Sequence, residues 1–152
     1  MKLAEALQER ADLNRKIEQL ESRMMNNALV QEGEQPAEDP AELKQELDGC
    51  IERLAELMSR INLTNCRTEV QGKTLTEMIA LKDALTRKIA VYRNLVYASS
   101  RSADRARGTE IKIRPTLPVA DLQKQVDGMA KELRVLDNRL QETNWLTELL
   151  GE

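Results

Sequence analysis

The residues of this chain best placed for chemistry are two cysteines, Cys50 and Cys66, and two cations, Arg10 and Lys82, set among leucines. A cysteine nucleophile acts as the thiolate and needs a neighbouring base, most often histidine. The chain has no histidine. The same gap removes the Glu-x-x-His motif by which helical bundles hold paired metals, and it leaves a zinc site short of ligands. Carboxylates are plentiful, 26 Asp and Glu against 23 Lys and Arg, but both signs are interspersed, as on solvated helix faces. These residues predict a non-enzymatic protein with no catalytic residues, no cofactor and no metal.

Arg10 and Lys82 suit a quieter task. A cation inside a leucine seam pairs with an acid on the facing helix, such as Glu56 or Asp137, and so fixes register; the sharper alternative is an anion site. Gly49 and Gly128 fall inside helical stretches, where each costs about 1 kcal/mol relative to alanine. Flanking the seam beside Cys50 and Met129, they would let another helix come close, from the same chain or from a second subunit. Cys50 replaces a seam aliphatic and reads as a small buried hydrophobe, while Cys66 lies past a helix end and reads as exposed.

Two loops carry opposite charge. Glu32, Glu34 and Glu38, with Asp39 and Glu42, make the first acidic; Arg101, Arg105 and Arg107, with Lys112 and Arg114, outweigh Asp104 and Glu110 in the second. A ligand-binding or enzymatic site at this polar loop end is one alternative reading. No aromatic is interleaved with those arginines, and the net charge is -3, so neither a specific nucleic-acid partner nor a membrane is expected.

The elements that must position these residues are helices. Leu3, Arg10, Ile17 and Met24 recur every seven residues from Met1 to about Ala28, with Ala6, Leu13 and Leu20 between them. The break "VQEGEQPAEDP" leads to Asp39 as N-cap, Pro40 at the first helical position and Glu42 closing a capping box. A second helix then runs to about Asn65 on Leu43, Leu47, Cys50, Leu54, Leu57 and Ile61. After the turn "CRTEVQGKT", Thr74 and Glu77 form another capping box, and a third helix reaches about Ser99 on Leu75, Met78, Lys82, Leu85, Ile89, Tyr92 and Val96. The alternating "EIKIR" reads as a short strand ended by Pro115. A fourth helix spans about Val119 to Leu149 on Leu122, Val126, Met129, Leu133, Leu136 and Leu140. Trp145 is expected to cover the open end of the core.

Two phrases occur twice. "DGCIERLAELMSRINLTN" at Asp48 returns as "DGMAKELRVLDNRLQETN" at Asp127, an offset of 79, and the first helix meets the third at an offset of 72. Asp-Gly and Thr-Asn falling at the same offset point to an internal repeat. The expectation is an all-α fold: a single helical domain over 1–152, made of duplicated antiparallel hairpins over 1–66 and 74–150. These form a four-helix bundle or coiled coil, with room for a small β ribbon of "ALVQE" and "EIKIR" at the loop end.

The loop "VQEGEQPAEDP" and the last helix, "LQKQVDGMAKELRVLDNRLQETNW", resemble the septicolysin-like family of small bacterial proteins. That family is uncharacterised and supplies no site residues; its name implies a membrane-active, cytolysin-like protein as a second alternative. The residues themselves favour a cytoplasmic helical protein that forms a homo-oligomer or docks a helical protein partner. No stretch approaches the roughly 18 apolar residues of a membrane span, and the charged start "MKLAEALQER" does not read as a signal peptide.

Overall fold

Four long helices carry the expected seams. The computed structural model describes residues 1–101 and 111–151. Helix α1 spans Leu3–Asn26, α2 Pro40–Arg67, α3 Leu75–Ser100 and α4 Val119–Leu146. At 1.5 Å per residue they are about 36 to 42 Å long. Their starts are set chemically. The Asp39 carboxylate accepts from Ala41 N at 2.9 Å, ahead of Pro40. Thr74 accepts from Glu77 N while Glu77 receives the Thr74 N–H at 2.7 Å, the full reciprocal box. The α2 cap is one-sided, because Glu42 does not return the bond expected of it.

The chain forms two compact units, Met1–Val70 with Thr143–Glu152, and Gln71–Glu142. In the first unit α1 and α2 are antiparallel, and their Cα atoms come within 8 Å repeatedly along the pair. Leu20, Leu43 and Cys50 form a buried cluster flanked by Leu13, Ile17, Met24 and Leu47. Asn27 fixes the loop, donating to Arg23 O at 2.8 Å and accepting from Glu38 N at 3.1 Å. The ends of the chain close this unit. Leu3 N donates to Thr147 O and Leu149 N to Met1 O, both at 2.9 Å, around an antiparallel bridge between Lys2 and Glu148. Buried Thr64 accepts from Leu150 N at 2.9 Å, and Arg60 Nε donates to Leu150 O at 3.1 Å.

In the second unit α3 and α4 are also antiparallel, with Leu75, Met78, Ile89, Leu122, Val126 and Leu140 buried. Their Cα atoms almost nowhere approach within 8 Å, so this pair is more open than the first.

Three expectations need correcting. Neither Ala28–Glu32 nor Ile111–Arg114 is a strand. The small two-stranded sheet is instead Glu69–Val70 (β1) with Lys73–Thr74 (β2). Gln71 and Gly72, both at positive φ, make the tight turn between them. Helix α4 ends at Leu146 rather than Leu149, because Thr147–Leu149 is drawn into the bridge with the first residues. Trp145 is 61% exposed. It lies five residues past buried Leu140, and at about 100° per residue that turns it well away from the buried face.

Candidate functional site

The two helix pairs differ most along one flank of the seam. In the first pair that flank is a row of ion pairs. Arg53 donates to Glu9 through Nε at 2.6 Å and a terminal nitrogen at 3.0 Å, and reaches Glu56 at 2.9 Å. One heptad along, Lys16 meets Glu46 at 2.7 Å; one further, Arg23 meets Glu38. As the α1 residue advances, its α2 partner retreats, as an antiparallel pair requires. The Arg53 guanidinium holds the Glu9 carboxyl below its ordinary range, and Lys16 and Arg23 do the same to Glu46 and Glu38.

Adding the offsets of 72 and 79 gives the same flank of the second pair. Glu9, Arg53 and Glu56 become Leu81, Glu132 and Val135; Lys16 and Glu46 become Lys88 and Gln125; Arg23 and Glu38 become Leu95 and Leu117. The charged row is largely aliphatic here, and the flank stays open. Between α3 and α4 it forms a groove of about 490 Å³ with Leu81, Ala84, Leu85, Val135 and Leu136 as its floor. Leu81 and Val135 are 46% and 52% exposed. Lys73, Lys88 and Arg139 rim the groove, against the single acid Glu132. Arg139 donates to Gln71 Oε1 at 2.6 Å, and the Lys88 ammonium lies 5.5 Å from the Tyr92 ring centroid. The groove is apolar along its floor and mainly basic along its rim.

The seam cations separate. Lys82 Nζ lies 2.5 Å from Asp137 Oδ1 across the second pair and holds that carboxyl below its ordinary range. Arg10 does not engage Glu56, which Arg53 occupies from its own helix; the cross-helix pair is Glu9–Arg53 instead. Gly49 and Gly128 are not approached within the chain, for a Cβ added at either meets no atom within 4 Å. Cys50 is buried and Cys66 exposed, and the two are not joined as a disulfide.

Glu32 and Glu34 are exposed, while Glu38 belongs to the ion-pair row. Arg101 lies over Tyr97 at 5.5 Å and, with Arg114, Leu95 and Leu117, lines a cleft of about 410 Å³. Arg105 and Arg107 lie outside the described residues. Among the described residues no group of three or more acids and thiols is placed to hold a metal ion, and no helix is long and apolar enough to cross a membrane.

Reading single seams misses the groove residues Leu81 and Val135, and Leu95 of the neighbouring cleft, because they lie off the heptad positions. The signal was available in the offsets, as charged residues exchanged for aliphatics.

A family model described as a family of unknown function, DUF6847, matches residues 10–149. A functionally unknown conserved protein from Corynebacterium diphtheriae, solved by crystallography, is 40% identical, with a TM-score of 0.92 over 99% of each chain. No curated protein matches.

Proposed function

The chain belongs to the DUF6847 family of unknown function, and on that premise we propose that it is a non-enzymatic helical protein acting by self-association. Its two hairpins are copies of one ancestral unit whose seams call for four-helix packing, and apolar surface outside those seams is what a second chain would cover. The observation that carries this reading is the open groove between α3 and α4, with leucine and valine facing solvent. Half-buried seam residues point the same way: Leu13, Leu47 and Leu54 in the first pair, and Leu85, Leu133 and Leu136 in the second. Each has apolar area left to cover, at roughly 25 cal/mol per Å². Lys82–Asp137 is the register lock of the second pair. The absence of histidine and the interspersed surface charge support a cytoplasmic setting and no chemistry of its own.

Sedimentation equilibrium from low micromolar to submillimolar concentration tests the reading. A concentration-dependent dimer or larger closed oligomer is expected, and a monomer throughout overturns it. Vesicle leakage, at several contents of anionic lipid, is expected to be nil; lysis would replace this reading with the membrane-active one implied by the septicolysin-like resemblance.

A further inference from the structure

We infer that the groove between α3 and α4 is the receiving half of that self-association, and that it receives the outer face of α2 from a second copy of the chain. The inference rests on the self-association reading and assigns its surfaces. Ile51 and Met58 are 46% and 44% exposed and lie off the α2 seam. Two turns apart on one face, about 10.5 Å by helix rise, they make an apolar ridge with Ala55 between them. Asp48 and Glu52 flank that ridge, both exposed.

Charge selects the pairing. Two grooves placed face to face would set Lys73, Lys88 and Arg139 against the same three cations, and like charges across an interface cost several kcal/mol. Groove against α2 ridge sets the cations against Asp48 and Glu52. The two features also divide between the hairpins. Where α2 has Ile51 and Met58, α4 has Ala130 and Asp137; where α3 and α4 have Leu81 and Val135, α1 and α2 have Glu9 and Glu56. Among the described residues each chain therefore carries both this ridge and this groove, which makes a heterologous, donor-and-acceptor interface.

Sedimentation velocity on the full chain tests this with two variants. The groove is closed by Leu81→Glu, Glu132→Arg and Val135→Glu together, which transplants the Glu9–Arg53–Glu56 arrangement that the first hairpin already holds. The ridge is removed by Ile51→Glu. Each variant alone is expected to associate at least about tenfold more weakly than the unaltered chain, as loss of a central apolar anchor does. Circular dichroism is expected to show unchanged helicity. An equimolar mixture is expected to recover one-to-one dimers, because the ridge of one variant still fits the groove of the other. Lys88→Glu, a rim change outside the seam, is expected to weaken association as well. Variants that associate like the unaltered chain, or a mixture that stays monomeric, overturn the assignment of ridge and groove and leave self-association standing. A monomeric unaltered chain overturns both.

Discussion

The two helix pairs share a heptad seam and finish its edge in opposite ways. Between α1 and α2, Glu9, Lys16 and Arg23 reach across to Arg53, Glu46 and Glu38. Between α3 and α4 the row is Leu81, Lys88 and Leu95, and a groove remains. Partly exposed ion pairs contribute only ~0–1 kcal/mol each, so the charged edge is not what holds the first pair together. It leaves little apolar area on that edge, while the aliphatic edge keeps Leu81 and Val135 exposed. The seam decides that a hairpin forms; the flank decides what the hairpin offers.

The comparison can be broken most forcefully in the core. Leu57 is fully buried, whereas Leu136, 79 residues on, is half-buried. In protein dilute enough to be dissociated, Leu57→Ala is expected to cost about 3 kcal/mol in urea unfolding and Leu136→Ala about half of that, since the penalty follows lost burial and residual cavity. Equal losses would mean that Leu136 is as well covered in solution as Leu57.

Gly49 and Gly128 sharpen the contrast at a smaller scale. A Cβ at either meets open space and both lie within helices, so Gly49→Ala and Gly128→Ala should each stabilise by about 0.5–1 kcal/mol. A gain at one and a loss at the other would locate a close neighbour that only one hairpin has.

The smallest expected effect is in pH. Glu9, Glu38 and Glu46 in the first pair have carboxyls lowered by their cations; in the second the lowered groups are Asp137, beside Lys82, and Glu77, bonded to Thr74. A carboxyl lowered in the folded state stabilises above its unfolded value of 4.5 for Glu, and the benefit is lost as pH falls through the folded value. Hydrogen exchange between neutral and acid pH should therefore show α1 and α2 losing protection somewhat more than α3 and α4. The opposite order would mean that the ion-pair row contributes nothing.

Much of the fold was legible because the signals are local. The caps at Asp39 and Thr74, the seam through Leu3, Leu20 and Leu57, and the buried Cys50 each need only a few neighbouring residues to be read. The Lys2–Glu148 bridge joins residues at opposite ends of the chain, and no local pattern announces it. Trp145 was misread because its size suggested burial while its helical phase, five residues past Leu140, turned it outward. "EIKIR" alternates as a strand does, but alternation supplies no partner edge, and the strands form where Gln71 and Gly72 can make a tight turn. The groove was half legible: Leu81 and Val135 stand out only once the two halves of the sequence are laid side by side.

The bridge has a consequence for synthesis. Leu3 is made well before Thr147, yet the carbonyl that its amide needs belongs to Thr147. The first unit therefore stays unfinished until after the whole of Gln71–Glu142, a continuous stretch, has been made. Closing so long a span carries its entropic cost late in folding. A chain lacking Thr147–Leu149 would leave the Leu3 amide without its acceptor.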